Sequence, residues 1–244
     1  MKKITTLLFI LLSNFAIAQT NLKLTVQPGF QMHSTYNIKM HMSMMGKKMD
    51  MDTKYFISGN LASIDDNHEM NWVFTIDSII IDSKEGKEKK YINTNQPNTM
   101  KDAPKSLVSG VREKINVKMD EFGKVIEEKK EENIGMLASP SVIIKTCFIE
   151  FARKDLKLNE TWQMENSMDI MGQAVTTNTE YTLASESETT YTIKANAKNE
   201  MIEDPIVTTY IINKKTGLIQ SCNSTSEMKM LGSIKTNINY NANW

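Results

Sequence analysis

Alternation of apolar and polar side chains around Gly46 constrains this chain more than any other feature. Before the glycine, even-numbered positions from Met32 to Met44 are mostly apolar and odd-numbered positions from His33 to Ser43 are polar; after it, the apolar positions are the odd-numbered ones from Met49 to Ile57. A period of two with one apolar face is typical of a half-buried β-strand. The change of parity predicts a hairpin of two antiparallel strands that carries its apolar side chains on one face.

The turn chemistry suggests a register for this hairpin. Glycine at the first position of a two-residue loop suits a type II′ turn, so we expect the loop to be Gly46-Lys47. In that register Met44 faces Met49 and Met42 faces Met51.

The same pattern recurs in the second half of the chain. A second Met-Gly turn, predicted at Gly172-Gln173, precedes Thr179 and Tyr181 at the spacing at which Thr53 and Tyr55 follow Gly46. Matching turns, parity and aromatic positions indicate an internal repeat. The predicted fold is mainly β, with two related antiparallel half-barrel-like repeats.

A helix is expected between or against the two repeats. We place the first repeat at residues 19–135, and the helix with the second repeat at 136–244. No Gly/Ser-rich linker separates them, so one continuous domain is an alternative. Ser139 can cap the helix, Pro140 suits its first turn, and apolar residues at helical spacing predict a helix from Ser141 to Arg153.

Further strands follow from β-branched runs and turn residues. Two later hairpins are predicted, Lys114 to Ile126 and Thr208 to Ile219, each with a glycine in its turn. Additional strands are expected at Asn71 to Ile81, Thr189 to Ala195 and Ile234 to Tyr240.

The N-terminus has the features of an export signal. Lys2-Lys3 is followed by an apolar run from Ile4 to Ile17 that closes on the small-x-small sequence Ala16-Ile17-Ala18. We therefore expect a signal peptide over residues 1–18, cleaved near Ala18-Gln19, and a periplasmic or secreted protein. The run is shorter than the ~20 residues of a transmembrane helix, so an integral membrane protein is not expected.

Charge and motif content argue against nucleic-acid binding and catalysis. The chain has 29 basic and 29 acidic side chains, without the basic patch that is the usual footprint of nucleic-acid binding. His33, His41 and His68 are in no HExxH pattern, and no GxSxG, P-loop or dinucleotide fingerprint occurs. We expect no enzyme activity and no cofactor.

The two cysteines, Cys147 and Cys222, allow two interpretations. In an oxidising compartment they could form a disulfide. Alternatively, both are small buried residues, since free cysteine is often buried.

Methionine is the most unusual component of the chain, which has 18. Seven of them lie in the first hairpin: Met32, Met40, Met42, Met44, Met45, Met49 and Met51. Methionine fills irregular cores, lines apolar cavities for lipid-like ligands and, as a soft thioether, selects Cu(I). A mixed His/Met site is disfavoured because His33 and His41 point away from the methionine face. The candidate ligand-binding residues are Tyr36, Ile38, Met40, Met42, Met44, Met49, Met51, Tyr55, Trp162, Met164, Met168 and Tyr181. The alternative Cu(I) or Ag(I) ligands are Met42, Met44, Met49 and Met51.

Several local features resemble a family of exported Bacteroidota proteins for which no activity is established. They are the Ala-Gln end of the signal peptide, the segment Val26 to Phe30, its echo from Lys157 to Trp162, and the duplicated Met-Gly hairpins. Strands wrapped around a helix are also similar to the half-barrels of periplasmic lipoprotein carriers, which hold acyl chains in an apolar concavity. The one-sided enrichment of both hairpins in methionine and aromatic residues suggests a non-catalytic binding protein for a hydrophobic small molecule or lipid. An envelope protein that binds a partner protein through an exposed strand edge is the remaining alternative.

Overall fold

The computed structural model describes most of the chain after the predicted signal peptide. Its described residues are 19–44, 46–101, 103, 110–128, 143–144, 146–170, 173–200, 202, 204–229 and 232–244. The signal peptide predicted at 1–18 lies outside them. Within these ranges, no helix has the length and apolar character needed to cross a lipid bilayer.

The described strands form a single twelve-stranded antiparallel sheet. Its order is β6-β5-β3-β2-β1-β12-β11-β10-β9-β8-β7, with β4 also paired to β3, and a short 3-10 helix, Pro97–Thr99, follows β4. The strands are β1 (Gln31–Met44), β2 (Lys47–Ile64), β3 (Met70–Glu85), β4 (Glu88–Asn93), β5 (Lys114–Met119), β6 (Val125–Glu128), β7 (Thr161–Ile170), β8 (Gln173–Glu186), β9 (Thr190–Lys198), β10 (Ile206–Asn213), β11 (Ile219–Lys229) and β12 (Gly232–Asn243).

The two halves of the chain share this sheet, because β1 pairs with β12. The mainly β class is therefore confirmed, with one open sheet that runs across the predicted boundary between residues 135 and 136. The relation of the halves as repeats stays a prediction. Strands β6 and β7 lie at opposite edges, so the chain between them passes from one edge of the sheet to the other.

The predicted register of the first hairpin was wrong by two residues. Met44 pairs with Lys47, and Met42 pairs with Met49. Gly46, with a φ of 77°, is thus the second residue of the loop, where its freedom to adopt positive φ is used. The second hairpin has the same correction, since Gln173, predicted to lie in the loop, pairs with Ile170. An even shift leaves every side chain on its predicted face.

The other predicted strands are confirmed. Those expected at Asn71 to Ile81, Thr189 to Ala195 and Ile234 to Tyr240 correspond to β3, β9 and β12, and the two later hairpins are β5 with β6 and β10 with β11.

The helix predicted from Ser141 to Arg153 was wrong for most of its length. Residues 143–144 have helical backbone, 146–147 form a turn, and 148–152 have no regular structure. Burial alternates there, since Ile149 and Phe151 are buried whereas Glu150 between them is less so. The backbone N–H of Phe151 donates to the carbonyl of Phe122 at 2.8 Å, so a tertiary contact replaces the helical hydrogen bond.

The core lies on one face of the sheet, which we call the inner face. It carries the even-numbered residues of β1 and the odd-numbered residues of β2. Two non-strand segments pack in the same core: the crossing segment, described at 143–144 and 146–156, and the N-terminal segment, 20–26. The ring of Phe148 in the crossing segment lies 5.7 Å from the rings of both Trp72 and Phe74.

Two hairpin turns hold the N-terminal segment. The N–H of Leu24 donates to the carbonyl of Glu121 in the β5–β6 turn at 2.7 Å, and the N–H of Thr25 donates to that of Thr216 in the β10–β11 turn at 2.9 Å. Gly217 lets this second contact form, because a Cβ there would lie 2.0 Å from the carbonyl oxygen of Lys23.

Candidate ligand-binding face

A row of aromatic and thiol side chains crosses the inner face through direct cross-strand pairs. Tyr55 pairs with Tyr36, Tyr36 with Tyr240, Tyr240 with Cys222 and Cys222 with Tyr210. Tyr36, Tyr55 and Tyr240 are at most 4% exposed. Burial raises the pKa of Tyr55 to about 12 because the phenolate would lose its hydration.

This row belongs to the core. Burial raises the pKa of Tyr36. Thr146 of the crossing segment lies beside the Tyr36 hydroxyl and offsets part of that rise. Tyr36 and Tyr55 were predicted to contact a ligand, but both are buried in the core, and the crossing segment covers Tyr36. Sequence patterns alone do not reveal such a cover, because it comes from a segment distant in the chain.

Cys147 of the crossing segment lies beside Tyr240 in the same core. Cys147 and Cys222 are both buried free thiols, so the structure shows no disulfide between them. Burial raises the pKa of Cys147 to about 12 and that of Cys222 to about 11.

Closer to the tip of the first hairpin, methionines form the inner face. Met40 pairs with Met51 and Met42 with Met49, and we call these four residues the methionine patch. Met42 is buried, whereas Met40, Met49 and Met51 are partly exposed. Apolar side chains thus continue beyond the fully buried core. Two other predicted residues, Ile38 and Met44, are also partly exposed on this face.

The predicted residues of the second half lie elsewhere on the inner face. Trp162 and Tyr181 stack with ring centroids 5.1 Å apart, and the Trp162 Nε1–H donates to the carbonyl of Glu150 at 3.2 Å. Met164 is partly exposed, and Met168 pairs with Val175. Strands β8 and β7 are five and six steps from β1, so Tyr181 lies about 24 Å and Trp162 about 29 Å from the β1 methionines measured across the sheet, at ~4.8 Å per strand.

Hydroxyl side chains occupy the inner face between these two groups. Thr208 Oγ1 donates to Ser224 Oγ at 2.8 Å, and both residues are buried. Nearer the methionine patch, Thr236 pairs with both Met40 and Ser226. We call Thr208, Ser224, Ser226 and Thr236 the hydroxyl bank. Sequence reasoning missed it, although these residues are in phase with the buried positions of their strands.

In the described part of β1, β2 and β8–β12, charged side chains at inward positions lie only at strand ends, where Lys47 begins β2 opposite Met44 and Glu186 ends β8 opposite Tyr191. At the inward positions, from Met32 to Met44, Met49 to Leu61, Thr177 to Leu183 and on through β9–β12, every side chain is apolar, hydroxyl-bearing or glycine. A charged ligand group would find no partner there, and burying an unpaired charge is costly.

The other charges of these strands lie on the outer face. A shallow depression of about 320 Å³ is flanked by Lys39, His41, Asp50 and Asp52, where His41 pairs with Asp50. His33 and His41 are exposed and lie on the face opposite the methionines, as predicted. In the described ranges, no three His, Cys, Asp or Glu side chains are grouped so that they could hold a metal ion.

The extended sheet, its covered core and its inner face of mostly apolar and hydroxyl-bearing side chains define the architecture to be compared with known proteins. It is similar to part of lipovitellin. A solved structure concerning lipid–protein interactions in lipovitellin matches with a TM-score of 0.56 at 9% identity, covering 90% of this chain and 26% of that chain. The chain thus spans about a quarter of that protein's length, and the similarity shows the fold alone. No protein-family model matches the sequence, and no curated protein is significantly similar to it.

Proposed function

We propose that this chain is an exported protein that binds a hydrophobic, lipid-like ligand on its inner face and catalyses no reaction. The observation that carries the proposal is the methionine patch, where apolar side chains continue past the covered core and remain partly exposed. Methionine is flexible and adapts to irregular apolar ligands. The lipovitellin structure, described as one of lipid–protein interactions, has a similar sheet.

The position of the patch supports binding over simple packing. Tyr36 and Tyr55 are 4% and 2% exposed, whereas Met40 and Met51, two rows further along the same strands, are partly exposed. An acyl chain placed there would bury apolar surface at about 25 cal/mol per Å².

Native mass spectrometry of the mature protein purified from a bacterial periplasm without detergent tests this proposal. We expect an adduct of lipid-like mass that is lost on denaturation. The double variant Met40→Gln/Met51→Gln should lose the adduct, and Met40→Leu/Met51→Leu should keep it, because leucine preserves the apolar surface. A folded wild-type protein that carries no adduct and binds no added lipid would refute the proposal.

A second candidate function is binding of Cu(I) or Ag(I) by thioethers. The observed register favours it, since it places Met42 opposite Met49 and Met40 opposite Met51, which brings four soft ligands to one surface. Met44, one of the predicted ligands, is opposite Lys47 instead.

Leucine substitution separates the two functions. Met42→Leu/Met49→Leu removes two thioethers and keeps the surface apolar, so Cu(I) affinity measured against a competing chelator should collapse while lipid binding persists. Equal Cu(I) affinity in the wild type and this variant would eliminate the metal site.

A further inference from the structure

The inner face also specifies the chemical class of the ligand. Resting on the proposed function, we infer that the ligand is an uncharged lipid bearing hydroxyl or ester groups, of which a monoacylglycerol is a simple representative. Its acyl chain lies on the methionine patch and its polar groups meet the hydroxyl bank.

The first argument is the absence of charge from the row of inward residues formed by Met51, Met40, Thr236 and Ser226. A carboxylate or phosphate bound there would be removed from water without an ionic partner, which is unfavourable. The outward cations Lys39 and Lys235 have anionic neighbours, Asp52 at 3.7 Å and Glu227 at 3.4 Å. The inward Lys47, at the tip of the hairpin, lies 3.6 Å from Glu85. An uncharged ligand avoids this desolvation cost.

The second argument is the continuity between the patch and the bank. Met40 pairs directly with Thr236, and Thr236 pairs with Ser226, so a thioether and two hydroxyls are adjacent in one row. Thr236 and Ser226 are only partly buried, which leaves them accessible to a ligand that covers Met40. One amphipathic molecule can thus contact both surfaces.

The third argument is the hydrogen-bonding capacity of hydroxyls. A serine or threonine hydroxyl both donates and accepts, so it matches the hydroxyl and ester oxygens of an uncharged lipid headgroup. Thr236 and Ser226 are only partly buried, so a ligand that covers Met40 would also cover their hydroxyls. Burying a hydroxyl without a hydrogen bond is costly, which favours a ligand that has polar atoms there.

Displacement of an apolar fluorescent probe from the full mature chain tests the inference with two ligands of the same acyl length. We expect 1-monopalmitoylglycerol to bind at least tenfold more tightly than palmitate at pH 8, where the fatty acid is ionised. Equal affinity, or preference for palmitate, would overturn the inference and leave the proposed function standing. If neither ligand bound, both would fall.

A variant and a matched control locate the polar contact. Ser226→Ala/Thr236→Val should weaken monopalmitoylglycerol binding about fivefold to thirtyfold, the loss of one or two neutral hydrogen bonds, and leave palmitate binding unchanged. Thr225→Val, on the outer face of the same strand, should change neither. An unchanged affinity in a folded Ser226→Ala/Thr236→Val protein would remove the hydroxyl bank from the site.

Discussion

Substitution of Gly217 tests how the N-terminal segment is attached to the sheet. Gly217 has a φ of 72°, and a Cβ there would lie 2.0 Å from the carbonyl oxygen of Lys23 and 2.7 Å from its carbon. Gly46 also has positive φ, 77°, but nothing lies within 4 Å of its Cβ position. The pair therefore separates backbone strain from the steric effect on the segment.

The expected magnitudes differ for the two variants. Positive φ costs an alanine about 1–2 kcal/mol at either position. In Gly217→Ala the N-terminal segment must also move away, which breaks the 2.9 Å bond from the Thr25 N–H to Thr216 and the 2.5 Å bond from Thr25 Oγ1 to Lys215. At about 1 kcal/mol for each hydrogen bond, Gly217→Ala should lower the free energy of unfolding by about 3–4 kcal/mol, whereas Gly46→Ala should lower it by about 1–2 kcal/mol.

Urea unfolding monitored by circular dichroism measures both losses, provided that the m-value is unchanged. Losses that agree within ~0.5 kcal/mol would refute the role assigned to the Lys23 contact, because strain alone would then account for Gly217→Ala.

Three further predictions concern titratable groups. Cys147 and Cys222 should react with a thiol reagent at pH 8 only as fast as the protein unfolds, and rapid labelling of the native state would contradict their burial. Burial raises the pKa of Cys147 to about 12 and that of Cys222 to about 11 in the folded state. Because unfolded thiols ionise above pH ~8.5, the free energy of unfolding should fall above that pH by up to ~1.4 kcal/mol per pH unit for each thiol. The urea midpoint of Cys147→Ala/Cys222→Ala should decline less over the same pH range. The backbone N–H of Glu69 and the Lys118 ammonium lower the pKa of Asp65 in the folded state. The ionised carboxylate therefore stabilises the fold above pH ~4, and this contribution is lost as the pH falls. Asp65→Asn should make the free energy of unfolding less dependent on pH in acid.

The sequence predicted the faces of the strands because side-chain orientation depends only on parity. It did not predict the register, since shifting the β1–β2 pairing by two residues leaves Met42 and Met49 on the same face. Only the loop distinguishes the two registers, and there the positive φ of Gly46 at the second loop position decided against the expected turn.

The predicted helix shows a different limit of sequence patterns. Ile143, Cys147 and Phe151 are spaced as on one helix face, yet Cys147, Ile149 and Phe151 also fit an extended chain with alternate residues buried. The hydrogen bond from Phe151 to the Phe122 carbonyl is formed between distant parts of the sequence, and local periodicity contains no information about it.

The same long-range packing determines which predicted site residues remain accessible. Because β6 and β7 occupy opposite edges, the chain between them has to traverse the sheet, and its described part does so over the inner face at Tyr36 and Tyr240. That passage turns the aromatic row into core and leaves the partly exposed apolar surface at the hairpin tip. The candidate site therefore follows from strand order as much as from composition. If β7 lay beside β6, no chain would have to cross the inner face, and the aromatic row would be no more covered than the methionines.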